Sequence, residues 1–352
     1  MIKDQVQKQQ AGDSSTNLQG QSIVIHQGIS YSDAKEIAID VYKANFLQLS
    51  QDAAELARNR AEEITDNFLT KLKKENEAAV IEMSKPGMQA ALFEAQMQYA
   101  KTGDKNLEGL LVDILVERAS TPERNIYQIV LDESLTVAAK LTTEQMDALT
   151  VNFLLSKTKN NSLVNLEAVI KHLDTDIIPF LSELTDKSSC YEHLEYVGCG
   201  SFIRVGKIHN IEHLFRLHYP GLFQKGFNEE KFTNEIGKID KYPTLVMECF
   251  HDPKMYQIKT IDPDVLDKIL TEQNIADDIQ PKFKSLFNSS LMSENEIKEY
   301  LLNVRPELQT LFDLWENSSI SKFGLTTVGI AIAQANYRRR TGVKLDLSIW
   351  VK

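Results

Sequence analysis

The sequence predicts a mainly α-helical fold with a short β tract in front, and three observations predict it. Between Ile29 and Lys85 there is neither glycine nor proline, and apolar residues recur every three or four positions. Four more stretches with helical patterning follow, separated only by short polar breaks. Six of the fifteen glycines fall between Ser188 and Pro253, which gathers turns and short strands into one later region. The expected order is an N-terminal short β tract, a helical bundle, then an α+β C-terminal region with a winged-helix-like end.

The opening is polar. Gly12-Asp13-Ser14-Ser15-Thr16-Asn17 has turn chemistry, and Leu18–Ile25 reads as a short strand interrupted by Gly20. A segment of that size cannot enclose a core of its own, so strand pairing with other chains is its expected use. Ser32 reads as the N-cap of the first helix, with Asp33 and Glu36 in the first turn to complement its dipole. Ile37, Val41, Ala53, Leu56, Ala57, Ile64, Phe68 and Leu72 make one apolar stripe, with a single break expected near Leu49–Asp52. Opposite lie Glu55, Arg58, Arg60, Glu62, Glu63, Asp66 and Lys71, which read as a solvated face of mixed charge.

Helices are expected over Met88–Thr102, Asn106–Ala119, Ile126–Leu141 and Thr143–Thr158. Thr142-Thr143-Glu144-Gln145 offers a capping box for the last of these. The polar run Lys157–Ser162 is the first boundary candidate, and a helical pair is expected at Leu163–Leu173 and Ile177–Leu184. After the glycine-rich stretch, helices return at Pro263–Gln273, Asp278–Asn288 and Glu294–Asn303. Pro306–Asn317 and Ile330–Tyr337 also read as helical, with Gly329, Ala331, Ala333 and Ala335 permitting close backbone approach. Lys344–Val351 alternates and reads as a half-buried strand. The resulting division is 1–28, a polar β-like assembly tract; 29–158, a helical bundle; 159–262, an α+β region; and 263–352, a helical module ending in a strand.

Bulk properties exclude several classes. A net charge of −11 argues against general nucleic-acid binding, which needs an excess of Lys and Arg. Three cysteines (Cys190, Cys199 and Cys249) in a chain of 352 residues make no disulfide framework and suit a reducing compartment. The N-terminus has no apolar signal region, and the longest apolar runs fall short of the roughly 20 residues a bilayer needs. A cytoplasmic location without a membrane span is expected.

Candidate chemistry gathers in two places. Cys190, His193, Cys199, His209, His213 and His218 lie close in sequence, and His209 and His213 on one helix would share a face, a workable zinc geometry. No second pair has standard ligand spacing, so packed or surface histidines are the expected outcome and no metal is assigned. Cys199 between Gly198 and Gly200 lacks the nucleophile-elbow and dinucleotide-binding patterns, and reads as a turn or core residue. The acidic sets Asp33, Glu36 and Asp40, and Asp262 and Asp264, read as helix starts. Arg338-Arg339-Arg340 is the tightest basic run, expected to favour a helix C-terminus more than to contact phosphate. Leu325-Thr326-x-x-Gly329 before a helix resembles the exit from a winged-helix wing, but the preceding helix carries Glu307, Asp313 and Glu316 and would be repelled by DNA.

Three stretches together resemble a known pattern. They are Gly12–Gln19; Gly28-Ile29-Ser30-Tyr31-Ser32-Asp33 with its helix through Ala44-Asn45-Phe46; and Leu325-Thr326-x-x-Gly329-x-Ala331-Ile332-Ala333 through Leu347-Ser348-Ile349-Trp350. They resemble an uncharacterised family of bacterial proteins with this polar opening and ending, and the C-terminal part is weakly similar to proteins grouped with abortive-infection phage defence. The resemblance implies bacterial conflict or stress response and brings no catalytic residues.

The expectation drawn from the whole chain is a non-enzymatic, self-assembling interaction protein. It would form a homo-oligomer through residues 1–28, bind a protein partner, and need no cofactor; no catalytic or cofactor-binding residue is assigned. The alternatives are a zinc- or cysteine-dependent hydrolase or nuclease built from Cys190 through His213, and a regulator touching nucleic acid through Arg338–Arg340.

Overall fold

A computed structural model of the chain describes residues 29–45, 51–204 and 209–352. The expected assembly tract at 1–28 lies outside them. Among the described residues there are fifteen α-helices and four three-residue strands, so the chain is mainly helical, as its periodicity predicts.

The first six helices are α1 (Tyr31–Asn45), α2 (Gln51–Asn76), α3 (Pro86–Thr102), α4 (Lys105–Ala119), α5 (Ile126–Ala138) and α6 (Thr143–Lys157). Ser30, not Ser32, caps α1: its hydroxyl accepts from the Asp33 N–H at 3.2 Å while the Asp33 carboxylate accepts from the Ser30 N–H at 3.1 Å. This reciprocal pair satisfies two backbone donors at the helix start. The Thr142–Gln145 capping box forms at the start of α6 as its sequence predicts. On α2 the buried face runs through Ala57, Ala61, Ile64, Phe68, Leu69 and Leu72, whereas Leu56 is exposed. Its charged face is less solvated than expected. Lys71 reaches Asp113 of α4 at 2.5 Å, Asp66 pairs with Lys35 of α1, and Glu63 accepts from Tyr99 of α3 at 2.7 Å.

The middle of the chain holds α7 (Leu166–His172), α8 (Ser188–Tyr196), α9 (Ile211–His218) and α10 (Glu229–Glu235), with strands β1 (Gly200–Phe202), β2 (Val246–Glu248) and β3 (Tyr256–Ile258). The helix expected over Ile177–Leu184 is instead a π turn and a 3-10 turn around Pro179, whose ring removes a backbone donor and prevents α-helical continuation. Next come α11 (Pro263–Glu272), α12 (Gln280–Ser289), α13 (Glu294–Val304), α14 (Leu308–Asn317), β4 (Phe323–Leu325) and α15 (Thr327–Thr341). β2 and β3 form an antiparallel pair, Val246 opposite Ile258. β4 pairs antiparallel with β1, Gly200 opposite Leu325, so it takes its partner from far upstream where a wing strand would pair with a near neighbour. The C-terminal segment expected as a strand turns instead through a 3-10 helix at Leu347–Ile349. The Asp346 carboxylate accepts from the Ser348 N–H at 3.0 Å, a local turn that competes with extended backbone.

One apolar core runs from Ala34 in α1 to Val351 near the C-terminus, and a smaller one gathers Phe227, Phe232, Leu245, Ile258, Phe283 and Phe287 around β2 and β3. At the centre of the larger core lie α6, buried from Gln145 to Leu155, and α15, buried from Gly329 to Arg338. A helix buried on every side presents its small residues to its neighbours and must satisfy its polar ones internally. Gly329 answers the first demand. The carbonyl oxygen of Cys199 sits where a Cβ would lie 1.9 Å away, and that same oxygen accepts from the Thr326 N–H at 3.0 Å. Asn336 answers the second: its amide donates to Asp147 at 2.9 Å and to Thr150 at 3.0 Å, both on α6.

Candidate functional site

The structure separates the cysteine and histidine candidates. Cys190 lies in α8 and Cys199 in the turn before β1; both are buried, and burial pushes their thiols up to about 11 and about 12, the Glu144 charge adding to the first. Neither is a thiolate nucleophile near neutral pH. The His193 Nδ1 lies 2.9 Å from the Gln145 side-chain nitrogen, and Gln145 also donates to the Cys190 carbonyl at 3.0 Å, so the residue that closes the α6 cap also fastens α8. His209 and His213 stack with ring centres 4.3 Å apart, and the His213 Nδ1 sits 2.7 Å from the Glu294 carboxylate of α13. His209 accepts from the Trp315 indole through its backbone carbonyl, at 2.9 Å. His218 is held below the ordinary imidazole range by burial and by the nearby Lys159 charge. Among the described residues no three His, Cys, Asp or Glu side chains stand close enough to hold a metal.

Two members of the acidic sets, Asp33 and Asp262, take part in helix capping. Asp33 closes the Ser30 cap of α1 by accepting from the Ser30 N–H, and Asp262 caps α11 by accepting from the Val265 N–H at 2.9 Å while pairing with Lys159.

The arginine run is where the chain's chemistry gathers. Gly342, with a φ of 75°, ends α15 in the left-handed conformation that favours glycine, so the three arginines occupy the last turn. Each faces a different environment because successive residues on a helix point about 100° apart. Arg338 is buried and turned into the bundle, paired with Glu75 of α2 and, at 3.2 Å, with Asp113 of α4. Asp113 in turn holds Lys71. Burial raises the Asp113 carboxyl above the usual range, and the two cations beside it oppose that rise. Arg340 donates to Asp147 at 2.6 Å and to the Pro179 carbonyl, and its guanidinium lies 4.5 Å from the centre of the Phe180 ring. Asp147 is fully buried, so this pair is the ionic fastening between α6 and the end of α15.

Arg339 differs from its neighbours. Its terminal nitrogens donate to two neutral oxygens, the side-chain carbonyls of Asn106 at 3.0 Å and Asn336 at 3.1 Å, and its buried Nε has no hydrogen-bond partner. Its stem lies over Gly109 of α4. Burial, and repulsion from Arg340, hold its cation below the ordinary arginine range. Arg339 and Arg340 line an open cleft of ≈ 470 Å³ together with Asn106, Thr143, Ser182 and Glu183. Its walls come from the first turns of α4 and α6, the end of α15 and the turn after Phe180.

Sequence reasoning found the arginines but missed their partners. Asp113 and Asp147 each interrupt an apolar helical run (Val112-Asp113-Ile114 and Met146-Asp147-Ala148), and a lone carboxylate there signals a buried partner. Which cation that partner is, far along the chain, is settled only by packing.

No curated protein and no solved structure matches the chain. A protein-family model matches residues 28–351, and the chain belongs to that family.

Proposed function

We propose that this protein acts by binding and self-association rather than by catalysis, with copies joined through residues 1–28 and the helical body presented to a protein partner. The observation that carries this reading is how the chemically capable side chains are used. The thiols of Cys190 and Cys199 are buried, His193 and His213 are tied to Gln145 and Glu294, and Arg338 faces inward to Glu75 and Asp113. The histidines and Arg338 fasten one element to another, and the two thiols are enclosed in the core. The family match covers residues 28–351, and a separate assembly role for residues 1–28 is compatible with it. The resemblance of the chain to an uncharacterised bacterial family, and the weak similarity of its C-terminal part to proteins grouped with abortive-infection phage defence, suggest phage defence or stress response as the setting.

Light scattering coupled to size exclusion, on the full chain and on one starting at Ile29, tests the assembly. A defined oligomer that falls to a monomer on truncation is expected. Two identical monomers overturn it. Stoichiometric zinc in protein purified without chelator, with activity lost in His209→Ala and His213→Ala, would replace this reading with the hydrolase.

A further inference from the structure

We propose that the cleft between the first turns of α4 and α6 and the end of α15 is a binding site for a phosphate group, held by Arg339 and Arg340 with Asn106, Thr143 and Ser182 around it. The argument begins with Arg339. A half-buried guanidinium is ordinarily matched by a carboxylate, because leaving water costs a cation several kcal/mol. Arg338 and Arg340 on either side have such matches in Glu75, Asp113 and Asp147. Arg339 forms no ion pair among the described residues: two amide oxygens orient it, and Asp147, Asp113 and Asp104 act on it only from beyond pairing distance. A guanidinium positioned by neutral acceptors and lining an open hollow is arranged to receive an anion.

The donors favour phosphate over a carboxylate. Each terminal nitrogen of Arg339 uses one N–H on an asparagine, which leaves a second on each, and the planar fork suits paired oxygens. Thr143 and Ser182, both hydroxyl-bearing, line the same hollow. Thr143 opens α6, whose helix end adds positive field, while the start of α4 at Asn106 is already capped by the Asp104 carboxylate. A tetrahedral group with several oxygens and up to two charges uses more of these donors than a carboxylate does. The volume of ≈ 470 Å³ exceeds what a free phosphate fills and leaves room for a carrier of nucleotide size. Glu183, exposed on the turn after Phe180, is the carboxylate that lines the cleft, and Asp147 and Asp104 nearby also oppose an anion. The site uses residues of the helical body and stands independently of assembly through residues 1–28.

The test is calorimetric titration of the full chain with inorganic phosphate, with adenosine 5′-monophosphate and with acetate, at fixed low ionic strength. Saturable phosphate binding is expected, with acetate at least about tenfold weaker. Arg339→Gln should weaken phosphate at least about tenfold, Arg339→Lys less, and Glu183→Gln should tighten it a few-fold. Ser182→Ala lies on an exposed turn that any effect on folding would spare, and should weaken binding about threefold. Adenosine monophosphate binding more tightly than phosphate supports a carried phosphate; equal affinity supports a free one. Absence of saturable binding, or phosphate and acetate binding alike and unchanged by Arg339→Gln and Ser182→Ala, overturns the site.

Discussion

Replacing Gly329 with alanine sets two effects against each other, and the structure decides between them. In an exposed helix interior, Gly→Ala stabilises by about 1 kcal/mol through backbone entropy. Here the new Cβ would stand 1.9 Å from the Cys199 carbonyl oxygen and 2.9 Å from its carbon. An ordinary carbon–oxygen contact is about 3.3 Å, so α15 and the turn before β1 must part by more than an ångström. That turn is backbone and cannot rotate aside. Overpacking of this kind costs about 3 kcal/mol, and the Thr326 N–H bond to the same oxygen, worth about 1 kcal/mol, is stretched or lost. The net expectation is a loss of about 3 kcal/mol, or a fall in melting temperature of about 4 °C for a chain of this size. Gly109→Ala in α4 is the matched control: its Cβ would meet the Cδ of Arg339 at 3.2 Å, the stem of a flexible side chain. That variant should melt within a degree or two of the parent. Differential scanning calorimetry reads both, and a Gly329→Ala protein as stable as the parent refutes the close approach of α15 to Cys199.

Asp147→Ala leaves Arg340 and Asn336 without their buried acceptor, and should cost about 3 kcal/mol in urea unfolding, at the low end for a broken buried pair because the Arg340 side chain is a quarter exposed; Asp147→Asn, which keeps an acceptor, should cost less, and equal effects would count against the ion pair. Cys190 and Cys199, with thiols raised by burial to about 11 and about 12, should resist iodoacetamide at pH 8 until the protein is unfolded, and rapid native-state labelling seen by mass spectrometry would contradict their placement. Burial pushes the Asp176 carboxyl up, but hydrogen bonds from His172 and Tyr337 outweigh it and hold the group below its ordinary value. The stability it contributes is therefore present above the unfolded pKa of about 3.9 and is lost as pH falls through the folded value; Asp176→Asn should flatten the acid limb of the stability curve below about pH 4. His218 and His251 are held below the usual imidazole range, chiefly by burial. Both favour the folded state while neutral, so stability should decline as pH drops below about 6.5, and a thermal-shift series from pH 8 to 5 that stays flat would refute it.

The helices were legible because helix formation is read from spacing along one segment. The apolar period over α2, the Thr142–Gln145 box and the glycine after Thr341 mark helix, start and stop from within a few residues. Gly329 with its alanines likewise announced that something must come close to α15, though not that it would be Cys199. Local reading failed where two local signals compete. Pro179 broke a stretch that hydrophobic spacing alone would continue, and Asp346 folded an alternating strand pattern into a turn.

What the sequence by itself determined is therefore the helical class, most of the element starts and stops, and the presence of a three-arginine run at one helix end. What only the tertiary structure decided is how that run divides. Arg338 goes to Glu75 and Asp113, Arg340 to Asp147, and Arg339 to two asparagine oxygens and an open cleft. The physical reason is that a helix fixes the angle between neighbouring side chains, while the charge each one meets belongs to helices brought alongside by packing of the core.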